Sequence, residues 1–139
     1  MTPKKKTTKK KKYYRGIGRR KTATAEVRLY KTGKKTITVN DEKMKEYFPR
    51  LELQEIINAP LEKLDLKDEF RISVLVRGSG YHSQAEAVQL GIARALVDYD
   101  EELKPALKED NYLSRDPRMK ERKKYGRRKA RRSTQWRKR

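Results

Sequence analysis

Regular alternation sets in at Ala23: Ala23, Ala25, Val27 and Leu29 fall on one side of an extended chain, Thr24, Glu26, Arg28 and Tyr30 on the other. That is the pattern of a half-buried strand. Lys31-Thr32-Gly33-Lys34 supplies a turn, and Thr36-Ile37-Thr38-Val39 is β-branched throughout, so the two segments are predicted to pair as an antiparallel hairpin. Asn40 or Asp41 is placed to cap a short helix ending near Pro49. Leu53, Ile56 and Ile57 have helical spacing within Leu51 to Asn58, ahead of Pro60, and Leu61, Leu64 and Leu66 carry apolar contacts into a loop.

Phe70, Ile72, Val74 and Val76 then alternate with Arg71, Ser73 and Arg77, giving another strand whose polar face is interrupted by Leu75 and whose end is marked by Gly78 and Gly80. Ser83 and Glu86 have the spacing of a capping box. Ala85, Val88, Ile92 and Leu96, widened by Ala93 and Val97, form an apolar stripe broad enough to cover a sheet face. Beyond Asp100 a short helix is predicted before Asn111, with Pro105 near its start. Asp116-Pro117 reads as a cap followed by proline at the first helical position, so one or two helical turns are expected over Arg118 to Lys124, stopped by Gly126. From Arg127 to Arg139 no apolar period remains, and an extended arm follows. The pattern is that of an α+β fold, a small sheet backed by helices.

Charge divides the chain sharply. Met1 to Thr22 holds 11 basic and no acidic residues, Ala23 to Leu113 holds 14 and 17, and Ser114 to Arg139 holds 14 and 2, for a net +20 over 139 residues. The middle can fold, whereas the ends lack the apolar residues that offset the entropy of ordering. Three parts follow: a disordered Lys-rich extension over residues 1–13, an α+β domain over 14–113 and a basic C-terminal arm over 114–139. Both ends call for a polyanion, since neutralising phosphates releases condensed counterions.

Other classes of function recede. With no cysteine and one histidine, the sequence offers neither disulfides nor a metal cluster, and no cofactor is expected. No apolar run approaches the roughly 20 residues that span a bilayer, so no membrane partner is expected. Gly16-Ile17-Gly18-Arg19-Arg20-Lys21 matches no nucleotide fingerprint; its glycines are read as a flexible lead-in along which Arg19, Arg20 and Lys21 follow RNA before the first strand. Gly78-Ser79-Gly80, ahead of a helix, is the stronger enzymatic candidate, because a helix start can hold an anion. His82 has no acid, base or nucleophile partner in sequence, and no enzyme is expected.

The arm carries the clearest binding chemistry. Arg122, Lys123, Lys124, Arg127, Arg128, Lys129, Arg131 and Arg132 are candidate contacts to RNA, with guanidinium groups suited to two-pronged phosphate binding. Tyr125 among them, and Trp136 farther on, are spaced to stack on unpaired bases. A general nucleic-acid-compacting tail is the rival reading of the same composition.

Several blocks in order carry a resemblance. Gly18-Arg19-Arg20-Lys21-Thr22-Ala23, Pro60-Leu61-Glu62, Gly91-Ile92-Ala93-Arg94-Ala95-Leu96, Ser114-Arg115-Asp116, Glu121-Arg122-Lys123-Lys124-Tyr125-Gly126 and Lys129-Ala130-Arg131-Arg132 resemble the universal S-nine family of small-subunit ribosomal proteins, bacterial type, over Tyr14 to Arg139. The resemblance implies a structural constituent of the small-subunit head that binds ribosomal RNA and adjoins neighbouring small-subunit proteins. It also implies that the arm reaches the P site and touches the anticodon stem-loop of the bound tRNA. By position the contacts would be Lys138 and Arg139, with Arg137 and Gln135 nearby. A cytoplasmic, bacterial-type ribosome is expected, because no Arg- and Ser-rich amphipathic leader is visible.

Overall fold

The computed structural model describes residues 12–138, so the expectation of disorder for residues 1–11 and the tRNA contact assigned to Arg139 lie outside the described residues. The sheet has five strands: β1 (Tyr14–Arg20), β2 (Ala23–Tyr30), β3 (Ile37–Val39), β4 (Glu42–Lys43) and β5 (Arg71–Arg77), in the order β1-β2-β5-β3-β4. The helices are α1 (Met44–Tyr47), α2 (Leu51–Lys63), α3 (Tyr81–Tyr99) and α4 (Lys104–Glu109), the last preceded by a 3₁₀ turn at Glu101–Leu103. The α+β class is as expected. So are the alternation of β2 and β5, the apolar stripe of α3, and Pro105 tolerated at the start of α4.

The strand at the N-terminal edge was not expected. Tyr14–Arg20 is no flexible lead-in but β1, paired antiparallel to β2 from Tyr14 opposite Leu29 to Arg20 opposite Ala23. Its glycines serve close approach. A Cβ on Gly18 would overlap the Ala87 carbonyl oxygen and one on Gly16 would overlap that of Gly91, while a Cβ on Gly91 would stand 2.6 Å from Val27 Cγ2. Removing side chains at Gly16, Gly18 and Gly91 therefore lets α3 lie directly on the β1 backbone.

The predicted hairpin is also replaced. Both edges of β2 are taken, by β1 and by β5, so β3 cannot pair with it; the loop after Tyr30 carries β3 past the start of β5, and β3 runs parallel to β5 with Ile37 opposite Ile72. Asn40 is no helix cap. At a positive φ in the turn to β4, it lies beside β5: its side chain donates to the Val76 carbonyl at 3.0 Å and accepts from the Val76 N–H at 2.9 Å. Helix α1 starts later, at Met44, without a side-chain cap.

Helix α2 does not stop before Pro60 but runs through it to Lys63, burying Leu53, Ile57, Pro60 and Leu61. The missing proline N–H is tolerated where packing holds the turn. Helix α3 begins at Tyr81, two residues ahead of Ser83, and no side chain caps it. The capping box fails because Ser83 is buried and the Glu86 carboxylate is held by Arg20 instead. Between β1 and β2 on one side and α2 on the other, α3 buries Val88, Ile92 and Leu96, each contributing roughly 1.5–3 kcal/mol.

Candidate nucleic-acid interface

Where the arm leaves the domain, one guanidinium gathers three partners. Arg20, at the end of β1, points its side chain toward α3 and is only 11% exposed there. Its Nε donates to Glu86 Oε2 at 2.7 Å and its Nη1 to the Arg118 carbonyl at 2.7 Å, while its Nη2 lies 3.4 Å from Asp116 Oδ2. One residue of the first strand thus binds the long helix and the base of the arm together. Proposed from sequence as an RNA contact, Arg20 has its donors engaged within the fold.

Asp116 completes the junction. Its carboxylate accepts from the Arg118 backbone N–H at 3.0 Å and from the Arg118 guanidinium at 2.7–3.1 Å. The Arg118 side-chain bond, then the backbone bond, hold the Asp116 carboxyl down to about 2 against its ordinary 3.8, with the charges of Arg118 and Arg20 adding to them. The same carboxylate raises the Arg118 guanidinium. The helix expected over Arg118 to Lys124 is absent: the segment has no regular structure. Met119 is its only large apolar side chain and is 71% exposed, so a helix here would have no face to bury.

Farther on, the arm folds on itself once. Gly126 turns with φ +73°, and Arg127 pairs with Ser133 as an isolated antiparallel bridge. The Arg127 guanidinium donates to the Arg131 carbonyl at 2.9 Å, and Glu121 holds Lys124 at 2.6 Å and Arg131 at 2.9 Å. Both carboxylates of the arm, Asp116 and Glu121, are therefore engaged internally. Among the described residues no ion pair involves Arg128, Lys129, Arg132, Arg137 or Lys138, and all five are exposed. Arg122 and Lys123 are exposed as well. Tyr125 and Trp136 stand free of the core at 103% and 80% exposure, and Gln135 is exposed beside Trp136.

The structure brings some predicted residues together and leaves others apart. Lys21 sits at a positive φ in the exposed two-residue turn between β1 and β2. Arg19 lines a shallow cleft with Gln89, Asn111, Tyr112 and Arg115 at the root of the arm. The spacing of Gln89 and Asn111 marks neither as a site residue, and their shared position with Arg115 depends on the fold. The arm's outer residues, from Arg122 onward, lie along a chain of their own.

The glycine turn ahead of α3 has an internal explanation. A Cβ on Gly78, at φ +82°, would stand 2.6 Å from the Thr22 carbonyl oxygen, and the Gly78 carbonyl accepts from Gln84 Nε2 at 3.0 Å. His82 Nδ1 is 3.8 Å from Glu86 Oε1 on an exposed helix turn. Among the described residues no three His, Cys, Asp or Glu side chains are grouped to hold a metal ion, and no helix is long and apolar enough to cross a membrane. A family model described as ribosomal protein S9/S16 matches residues 18–139, spanning the sheet, the helices and the arm.

Proposed function

The chain belongs to the ribosomal protein S9/S16 family, and on that premise we propose that it sits in the head of a cytoplasmic small ribosomal subunit, with its arm reaching the P-site tRNA. The family is a structural, RNA-binding one at work in translation in the small subunit, not a family of enzymes. Under this reading the domain docks as a unit. Arg19, Lys21, Arg122, Lys123, Arg128, Lys129 and Arg132 contact ribosomal RNA, and Tyr125 stacks there. Lys124, Arg127 and Arg131 shape the arm while presenting further positive charge, and Arg20 sets its direction of departure. Gln135, Arg137, Lys138 and Arg139 meet the anticodon stem-loop.

The observation that carries the proposal is the arm itself. It is anchored at one end by Arg20 and Asp116, and its far half keeps five exposed cations without an ion pair among the described residues. A long basic segment fixed at its root and unneutralised toward its tip suits a groove lined by phosphates. The test is a chain truncated after Gln135, assembled into small subunits alongside the intact chain. Normal assembly with faster loss of P-site tRNA is expected. Unchanged tRNA retention would reduce the tip to an RNA filler, and failure of the intact chain to enter subunits would overturn the ribosomal placement.

A further inference from the structure

The sheet has a second face. On the side opposite α3, β1 presents Arg15 and Ile17, with Arg19 at the edge toward the root of the arm, β2 presents Thr24, Glu26, Arg28 and Tyr30, and β5 presents Arg71, Ser73, Leu75 and Arg77. Among the described residues α3 is the helix that packs on β1, β2 and β5, and it does so on the buried face. We infer that this open face is a second RNA-docking surface, holding the phosphate-ribose backbone of a double-helical RNA segment. The inference rests on the RNA-bound reading above and adds a surface separate from the arm.

Register sets the pattern. Across the three strands the rows read Arg19, Thr24, Arg77; then Ile17, Glu26, Leu75; then Arg15, Arg28, Ser73. Arg15, Arg28, Arg71 and Arg77 face one carboxylate, and that carboxylate is already matched: Glu26 Oε1 lies 3.2 Å from Arg15 Nε and 2.9 Å from Arg28 Nη2. Rows repeat about every 6.7 Å along a strand, of the order of the step between neighbouring phosphates. A second copy of this face would meet like charge. A hydrophobic protein partner would find Ile17 and Leu75 separated by Glu26 rather than joined in one patch.

The aromatic rings decide between duplex and single strand. Stacking on unpaired bases needs free ring faces, but the Arg28 guanidinium covers the Tyr13 ring at 5.4 Å and that of Arg71 covers the Tyr30 ring at 4.7 Å. The tyrosines hold guanidiniums in place instead of offering platforms. What remains presented is guanidinium, the hydroxyls of Thr24 and Ser73, and two aliphatic side chains on one face of the sheet. That set suits the wide, shallow minor groove of A-form RNA, read through phosphates and 2′-hydroxyls with little regard to sequence.

The chain has no cysteine, so Ser73→Cys and, separately, Ser133→Cys each provide a unique site for a short azide photo-crosslinker in assembled small subunits. Cross-linking of position 73 to ribosomal RNA is expected. On isolated small-subunit RNA, Arg71→Gln with Arg77→Gln should lower the slope of log affinity against log salt by about two. An unchanged slope overturns the inference. So does cross-linking of position 73 only to another protein, or to nothing in subunits where position 133 reaches RNA. If neither position reaches RNA in subunits containing the chain, the RNA-bound reading falls with it.

Discussion

Gly18 and Ala87 meet backbone to backbone: the strand residue lies under the helix so closely that a methyl group on Gly18 would overlap the Ala87 carbonyl oxygen. The neighbour is main chain in the middle of α3, which cannot rotate away as a side chain would. Gly18→Ala, and likewise Gly16→Ala, should destabilise the domain by about 3 kcal/mol or more, at or beyond the upper end of overpacking costs. Gly80→Ala is the control, since nothing lies within 4 Å of its Cβ position; as the N-cap of α3 it should lose no more than about 1 kcal/mol, from capping alone. Urea denaturation of the three variants checks the contrast.

The same pair explains why one strand escaped detection. Strands announce themselves by apolar residues on the buried side, as Val27 and Leu29 do for β2, but β1 buries Gly16, Gly18 and Arg20. Glycines there read as looseness until the helix above them is known. The partner of β3 was equally hidden, because β-branching marks Ile37 and Val39 as strand residues without saying that β5, more than 30 positions later, would take the edge of β2 first. Local signals misled where a long-range contact claimed the same side chain: Glu86 has capping-box spacing, yet Arg20 takes it. The candidate site was legible in a different way. Exposed cations and aromatics in the arm follow from composition, whereas the cleft at its root and the open sheet face require the topology.

Arg20 is the joint between domain and arm, so its loss should be felt on both sides. Arg20→Ala removes charge-assisted bonds to Glu86 and to the Arg118 carbonyl and should cost about 1–3 kcal/mol. Arg20→Lys should recover only part, because an ammonium cannot reach three partners in a fixed fork. Limited proteolysis supplies the second readout. Cleavage should rise first between Ser114 and Lys120, ahead of any cleavage in α3, and uniform cleavage of both segments would assign Arg20 to general stability alone.

The Asp116 carboxyl gives the arm junction a defined pH response. Folding lowers it from 3.8 to about 2, so between those values the unfolded chain binds more protons than the folded one. Its contribution is complete above the unfolded value and lost as pH falls through the folded one. An NMR titration of the carboxyl should show a midpoint near the lower figure, and Asp116→Asn should abolish that step while leaving the amide of Arg118 less protected from exchange. A midpoint at the ordinary value would mean that Arg118 does not hold the carboxylate in solution.

Arm cations without internal partners should act as phosphate counterions one by one. Arg128, Lys129 and Arg132 are exposed and form no ion pair among the described residues. Changing all three to Gln should lower the salt slope of binding to small-subunit RNA by about three and leave thermal stability unchanged. Glu121→Gln acts in the opposite sense. It frees Lys124 and Arg131 from a carboxylate, so RNA affinity at low salt should rise while the loop from Arg127 to Ser133 loosens. An arm that merely compacts nucleic acid would show the same slope change on duplex DNA; an arm shaped for RNA should prefer the ribosomal RNA at equal salt.

Tyr125 separates stacking from charge. Its side chain is fully exposed and contributes no packing to the domain, so Tyr125→Ala should leave folding stability within about 0.5 kcal/mol. If the ring stacks on an unpaired base, the same change should weaken RNA binding by about 1–3 kcal/mol without altering the salt slope, because no phosphate contact is lost. Tyr125→Phe keeps the ring and should bind as the parent does. Equal loss in the Phe and Ala variants would point to the hydroxyl instead, as a donor to phosphate or ribose. No loss in either would leave the arm a purely electrostatic ligand at this position, with Gly126 and not Tyr125 accounting for the local shape of the chain.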